Sequence, residues 1–467
     1  MIKSRKFFVV LVMAALGLTT GASVVEADPP ANAPYSLETI ATITGGDVGK
    51  HVSIAFNENT GKPYISYYDE TNGDLRLIYP HSTVGNCGPN NEWYCETLDT
   101  EGDVGQYSSI DYFIDGATGY VKIGIAYHDA TYDVLKVAIW SRIGFSYRWD
   151  VYIVDGGGGL IDVGYDASLK FDSNGSVHIA YSISSIVNGQ TIQAVSHATP
   201  VTSGGNCGEG AAAGKWQCDV AVLGLYPSLD LTSADSPVIA MNELSGYLAL
   251  CGKVGGTWSC VTVDEDAGWA TSFSLAIDQL GLPHIGYYDY SNGYLKYATY
   301  VGTGGNCGFS FNSGAYEYQC DIIDTIGDSQ ILVGLSVDVD PDGYPVIAYQ
   351  NDSDPSGFSV LNVARPALAH GTSVGNCGPI VNSFRRWQCE TIDDATQGGG
   401  AGNLYEADFA SVAVDPNGFA AIAYNEMDDY HNEGRLKFAS QENSNSIFSD
   451  DFESASLSAW SSSAGGP

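Results

Sequence analysis

Seven times along this chain a serine opens the same phrase: Ser53, Ser109, Ser168, Ser228, Ser274, Ser336 and Ser411, at intervals of 46 to 75 residues. The fullest copy runs from Ser274 to Asp324. It begins S-L-A-I-D (Ser274–Asp278), turns through Leu280-Gly281-Leu282 and continues P-H-I-G-Y-Y-D (Pro283–Asp289). It turns again at Ser291-Asn292-Gly293, proceeds L-K-Y-A-T-Y (Leu295–Tyr300) and, after G-G-N-C-G (Gly304–Gly308), closes with Y-Q-C-D-I-I-D (Tyr318–Asp324). Four short apolar or alternating runs bounded by Gly, Asn, Asp or Pro are the pattern of an antiparallel meander. The second run recurs at Pro63–Asp69, Val121–Asp129, Val177–Tyr181, Pro237–Asn242, Pro345–Asn351 and Ala420–Glu426. One such sheet cannot bury both faces, whereas copies stacked around an axis can. The expected fold is therefore all-β, a seven-bladed β-propeller of four-stranded antiparallel blades.

The two ends of the chain support a closed ring. The last unit has three strands, near Ser411–Val414, Ala420–Tyr424 and Arg435–Ala439, and no fourth. Its missing phrase stands at the start: Ser36–Ile40 followed by G-G-D-V-G-K-H-V-S (Gly45–Ser53) parallels Y-C-E-T-L-D followed by E-G-D-V-G-Q-Y-S-S. The N-terminal strand is expected to complete the last blade and cover the edge left open there.

Lys3, Arg5 and Lys6 ahead of an apolar run from Phe7 to Leu18, then Val25-Glu26-Ala27, give residues 1–27 the form of a secretory signal peptide. Residues 28–34 make a Pro-rich lead-in, 35–440 the propeller and 441–467 a polar Ser/Gly-rich tail. No later run reaches the roughly 20 apolar residues of a membrane helix, so no membrane insertion is expected. A formal charge of −36 argues against nucleic acid as a partner. The ten cysteines fall into five local pairs: Cys87 with Cys95, Cys207 with Cys218, Cys251 with Cys260, Cys307 with Cys320 and Cys377 with Cys389. Four pairs begin N-C-G, and each second member lies in the fourth run of its unit. Neither C-x-x-C nor histidine at ligand spacing accompanies them, so disulfides stapling the outer hairpins, in an extracellular setting, are expected rather than zinc. The second unit has no cysteines, and Trp140 and Trp149 are placed to pack its outer hairpin instead.

Three constellations carry the functional expectations. Residues just ahead of each first strand reach toward the axis and differ from unit to unit: His51, Tyr107, Asp166, Tyr226, Ser272, Gly334 and Phe409. Architecture requires sameness and an asymmetric site requires difference, so a binding pocket lined by His51, Tyr107, Asp166 and Tyr226 is expected over the axis. The ends of the second strands, Tyr68-Asp69, His128-Asp129 and Tyr288-Asp289, are a second binding candidate for sugar rings or a cation. Their structural alternative pairs Asp69 with Arg76, Asp129 with Lys136 and Asp289 with Lys296, each seven positions on within a hairpin. Third, Asp338, Asp340 and Asp342 before Gly343 form D-x-D-x-D-G, a possible calcium loop, although Asp340 aligns with the ordinary turn aspartates Asp278 and Asp415. Within the first strands, Lys170 is expected between Asp111 and Asp230 in an ion-pair cluster that fixes register. No cofactor is required by any of these.

The repeat S-[LIV]-A-[IV]-D-x-x-G-x-P-H-I-x-Y-Y-D, with L-K-Y-A and W-x-C-E-T-I-D, resembles repeats of secreted bacterial and archaeal β-propellers. More remotely it is similar to lectin-type and sialidase-type propellers, over about Tyr35 to Ser440. The fourth unit departs most, being short and lacking Y-Y-D. The chain has few arginines to grip a carboxylate, no S-x-D-x-G-x-T-W box, and none of the G-x-S-x-G, H-E-x-x-H or phosphate-loop motifs. The resemblance implies the propeller fold; the reading taken from the chain as a whole is a secreted, extracellular, monomeric, non-catalytic propeller that recognises glycan or another cell-surface polymer through its long-loop face. The alternatives are a glycoside hydrolase or lyase working with two carboxylates, and a structural matrix protein.

Overall fold

The computed structural model describes residues 33–81, 83–144, 146–158, 162–267, 272–326, 334–352, 359–370, 374–381, 385–394, 404–428 and 433–441. The expected signal peptide, most of the lead-in and nearly all of the tail lie outside these residues.

Among them the chain is all-β, with only three short 3-10 turns. β1 (Tyr35–Thr42) comes first. The first unit is β2 (Val48–Asn57), β3 (Lys62–Asp69), β4 (Asp74–Pro80) and β5 (Trp93–Asp99). The second is β6 (Val104–Ile114), β7 (Val121–Asp129), β8 (Val134–Ile143) and β9 (Ser146–Asp155). The third is β10 (Asp162–Phe171), β11 (Val177–Val187), β12 (Gln190–Pro200) and the first half of β13 (Trp216–Leu231). The second half of β13 opens the fourth unit, which continues with β14 (Pro237–Glu243), β15 (Leu248–Val254) and β16 (Thr257–Asp264). The fifth is β17 (Phe273–Ile277), β18 (Pro283–Asp289), β19 (Tyr294–Tyr300), β20 (Cys307–Ser310) and β21 (Ala315–Thr325). The sixth is β22 (Leu335–Val339), β23 (Pro345–Asn351), β24 (Val360–Pro366) and β25 (Trp387–Asp393). The last is β26 (Leu404–Val414), β27 (Ala420–Asp428) and β28 (Glu433–Gln441).

Hydrogen bonding joins these strands into six sheets, because β13 runs without a loop from the third unit into the fourth and merges the two into one seven-stranded sheet. Its pairing passes from β12 to β14 between Leu223 and Gly224. β1 lies antiparallel on β28, from Tyr35 opposite Gln441 to Thr42 opposite Arg435, so the last sheet holds strands from both ends of the chain.

The apolar side chains gather between neighbouring units. One cluster combines Leu75 and Leu77 of the first unit with Ile110, Ile125 and Tyr127 of the second, and another combines Leu295 and Ile323 with Val337 and Ile347 of the sixth. Ile54, Ile65 and Trp93 of the first unit pack on Leu436 and Phe438 of the last. Each large side chain buried this way contributes roughly 1.5–3 kcal/mol.

The repeated serine explains itself here. Its Oγ accepts a hydrogen bond from a backbone N–H of the next unit's first strand: Ile110 to Ser53 (3.1 Å), Leu169 to Ser109, Leu229 to Ser168, Leu275 to Ser228 and Val337 to Ser274 (each 2.9 Å). Ile54 of the first unit donates to Ser411 of the last at 3.3 Å. One step along, Asp111, Asp230 and Asp338 accept from Phe171, Ile277 and Val414 of the following units, each at 2.7 Å.

All five expected disulfides are formed. In the N-C-G pairs the asparagine exchanges two bonds with the partner cysteine's backbone, as Asn86 does with Cys95, at 2.7 and 3.0 Å. The glycine is needed because a Cβ on Gly88 (φ +70°) would stand 2.5 Å from the Trp93 ring. In the second unit Trp140 and Trp149 face each other across β8 and β9, ring centres 5.5 Å apart.

Candidate functional site

The first strands of all units line one cavity of about 560 Å³, and a second recess of about 270 Å³ opens above it. The two share Ser53, Ser109, Ser168, Ser228, Ser336 and Ser411, so the serines form the waist between them.

The recess is built by a repeated backbone device. In the first four units G-x-x-x-S precedes the inner strand: Gly49 to Ser53, Gly105 to Ser109, Gly164 to Ser168 and Gly224 to Ser228. A Cβ on Gly49, Gly105 or Gly164 would come within 2.9 Å of the backbone of Leu436, Leu75 or Leu135, so only glycine lets the neighbouring unit approach. Two residues later the ladder skips, between Lys50 and Ser53, Gln106 and Ser109, Tyr165 and Ser168, Leu225 and Ser228, and Asp408 and Ser411. At each skip a non-glycine residue takes a left-handed backbone: His51 (φ 49°), Tyr107 (54°), Asp166 (52°), Tyr226 (56°) and Phe409 (55°). Each costs roughly 1–2 kcal/mol. These bulges throw all five side chains into the recess, where Ser272 joins them.

The pocket expected from His51, Tyr107, Asp166 and Tyr226 is thus assembled from one position per unit. The His51 ring centre is 4.5 Å from Tyr107 and 4.4 Å from Phe409. Burial, reinforced by Lys50, brings the imidazole down to about 3, so His51 is neutral in the folded protein. Opposite these rings, Asp166 Oδ2 accepts the Ser182 hydroxyl at 3.0 Å, and Ser182 Oγ accepts the Tyr226 N–H at 3.3 Å. Burial raises the Asp166 carboxyl to about 6, with the Ser182 bond opposing it. The Tyr107 and Tyr226 phenols are raised by burial and then by Asp166. The recess therefore presents aromatic walls, hydroxyls and one carboxylate.

The second candidate set is a correction. Tyr68, Asp69, His128, Asp129, Tyr288 and Asp289 are all buried and offer no surface to a ligand. Asp69 pairs with Arg76 at 3.2 Å, Asp129 with Lys136 at 2.7 Å and Asp289 with Lys296 at 3.7 Å. Tyr68 donates to Asp103 (2.6 Å), and Tyr288 to the carbonyl oxygens of Gly334 and Gln350 (2.9 and 3.1 Å). His128 packs on Tyr165, ring centres 4.2 Å apart and planes tilted by 37°, and neither of its ring nitrogens has a hydrogen-bond partner among the described residues.

The D-x-D-x-D-G stretch is built as an ordinary turn. Asp340 accepts the N–H groups of Asp342 (3.1 Å) and Tyr344 (2.8 Å), as Asp415 accepts those of Asn417 and Phe419. Asp338 and Asp340 both line the larger cavity, Asp338 accepting the Val414 N–H, and no three metal-ligating residues converge among those described. Lys170 shares that cavity with Asp111, Asp230 and Asp338. It makes no direct ion pair at 4.0 Å among the described residues, yet Asp230 first, then Asp111 and Asp338, holds its ammonium above the usual lysine range against desolvation.

Sequence reasoning missed a buried bridge between units. The aspartate ending a fourth strand accepts a tyrosine hydroxyl from the next unit's second strand. The pairs are Asp99 and Tyr127, Asp155 and Tyr181, Asp264 and Tyr287, Asp324 and Tyr349, and Asp393 and Tyr424, at 2.6–2.7 Å. The aspartate that closes each fourth strand (E-T-L-D, Y-I-V-D, V-T-V-D, D-I-I-D and E-T-I-D) and the Y of I-x-Y are its signal. Much of the long-loop face, including residues 268–271, 327–333, 353–358, 395–403 and 429–432, lies outside the described residues.

No family model matches the sequence, and no curated protein does either. Solved structures similar in course include AofleA from Arthrobotrys oligospora (11% identity, 77% of this chain and 90% of that one, TM-score 0.43). Others are a fucose-specific lectin from Aleuria aurantia (9%, 78% and 100%, 0.41) and the NanB sialidase from Streptococcus pneumoniae (12%, 88% and 71%, 0.42). At these scores the likenesses bear on neither ligand nor chemistry.

Proposed function

We propose that the chain is an extracellular, closed seven-bladed β-propeller that binds carbohydrate in the recess over its axis and performs no chemistry on it. One observation carries the reading: five strained left-handed residues, at matching positions in five units, deliver five side chains of four different kinds to one recess. Repetition elsewhere serves architecture, and strain kept at a position of variable identity belongs to a site.

Closure is supported by the serine bond from the last unit to the first, by β1 on β28, and by the apolar cluster common to both ends. An extracellular setting is supported by the five disulfides. No helix among the described residues is long and apolar enough to cross a membrane. At about 270 Å³ the recess stands at the small end of ligand pockets and suits a single sugar residue. Rings at His51, Tyr107 and Phe409 would meet its apolar face, while Asp166, Ser272 and the phenols would meet its hydroxyls. Hydrolysis by two carboxylates is disfavoured, since Asp166 is the sole carboxylate among the described lining residues.

The test is a glycan array followed by titration calorimetry, comparing the native chain with Tyr107→Asn. Asparagine tolerates the left-handed backbone, so thermal unfolding should hold while affinity falls about tenfold or more. A folded sample that captures no glycan sinks the reading.

A further inference from the structure

Three features of the recess bear on the kind of sugar it would hold. Its aromatic walls are neutral, including His51, and the faces of such rings attract cations. Its one carboxylate is under-supplied with donors: Ser182 engages Oδ2, and no other hydrogen bond among the described residues reaches Asp166. Neither lysine nor arginine lines the recess among the described residues. The nearby Lys50 ammonium is held by Asp47 and Glu70, and Lys170 lies beyond the serine waist among Asp111, Asp230 and Asp338. A formal charge of −36 draws cations toward the whole molecule and repels anions.

We infer that the recess is specific for a positively charged ligand, a sugar bearing a free, protonated amine, with Asp166 as its counter-charge and the His51, Tyr107, Phe409 and Tyr226 rings as its cage. This rests on the carbohydrate reading above. An anionic sugar would meet a like charge there. A neutral one could offer the carboxylate its hydroxyls but no opposite charge, whereas an ammonium adds a charge-assisted bond.

The experiment titrates the full chain at neutral pH with glucosamine, galactosamine and mannosamine, with their N-acetyl counterparts, and with tetramethylammonium as a cation that is not a sugar. At least one free amine should bind about tenfold tighter than its N-acetyl form. Asp166→Asn, which keeps the left-handed backbone, should erase that difference with thermal unfolding intact. Tetramethylammonium carries a charge that never titrates, so its binding should weaken as pH falls through about 6, where Asp166 takes up its proton. N-acetyl forms binding as tightly as the amines would overturn the inference and leave the carbohydrate reading standing. Tetramethylammonium binding that depends on Asp166, with no sugar bound, would support the cation preference and overturn the carbohydrate reading. Binding by neither class overturns both.

Discussion

Asp166 shows what one residue concedes to the site it serves. Burial raises its carboxyl from 3.8 to about 6, which makes the charged form less welcome in the folded chain than in the unfolded one. The sign follows. Below about pH 4 both states are protonated and nothing is lost. Between 4 and 6 the unfolded chain gives up the proton first, so stability declines as pH rises, and above about 6 the loss is constant. Asp338, also near 6 through burial, adds to the same window from inside the axial cavity. Replacing Asp166 with asparagine keeps the shape, the left-handed backbone and an acceptor for Ser182, and removes the charge. Asp166→Asn should therefore stabilise the chain at neutral pH by on the order of 1 kcal/mol, the openness of the recess to water moderating the effect. At pH 4 the melting temperatures of variant and native chain should coincide. Paired thermal scans at the two pH values check this, and a gain that is larger in acid would refute it.

At the scale of the element, the meanders depend on buried charges shared between units. Asp264, ending β16, accepts the Tyr287 hydroxyl at 2.6 Å and the Lys296 ammonium at 2.5 Å, both from the following unit. Removing it strands an ammonium in the interior, with only Asp289 at 3.7 Å to fall back on. Asp264→Ala should cost about 3 kcal/mol in urea unfolding. Asp321→Ala, which breaks the exposed Arg386 pair, should cost under about 1 kcal/mol, and equal costs would overturn the distinction. The contrast also marks what a sequence can disclose. Asp69 with Arg76 and Asp129 with Lys136 are legible because seven positions within a hairpin make them diagonal neighbours, Arg76 standing opposite Tyr67 and Lys136 opposite Tyr127, two residues from each aspartate. The disulfides are legible for the same local reason. Asp264 with Tyr287 is not, because that contact exists only once two sheets stack. The recess is half-legible: the variability of His51, Tyr107, Asp166 and Tyr226 points to it. Their left-handed backbone hides in G-x-x-x-S, a spacing visible in the chain but meaningful only beside the neighbouring unit's backbone. Asp338, Asp340 and Asp342 look like one set in the sequence, but β22 ends at Val339, so Asp338 lies in the strand and Asp340 in the turn that follows it.

For the whole molecule, the decisive contact joins residues about four hundred positions apart. β1 covers the β28 edge, Asn425 Nδ2 donates to the Val48 carbonyl at 2.8 Å, and the Gly45 N–H donates to Glu433 at 2.9 Å. Deleting residues 33–43 would bare that edge and uncover Leu436 and Phe438, so the truncated chain should lose several kcal/mol and tend to associate through the open strand. Position in the sequence, however, is not what the pairing of β1 with β28 requires. Tyr35 stands directly opposite Gln441, the separation that a two-residue Asn-Gly turn spans in an antiparallel hairpin. A circular permutant can therefore begin at Asp47, run to Gln441, turn through Asn-Gly and end with Tyr35–Ile43, keeping every strand and changing only the order of connection. If β1 is the strand that closes the ring, the permutant should match the native chain to within about 1 kcal/mol, since loop closure varies only slowly with length. It should also refold faster, because the longest-range pairing has become a hairpin. Urea unfolding and stopped-flow refolding of the native, truncated and permuted chains decide the matter. A permutant no more stable than the truncation would mean that β1 does not hold the ring shut.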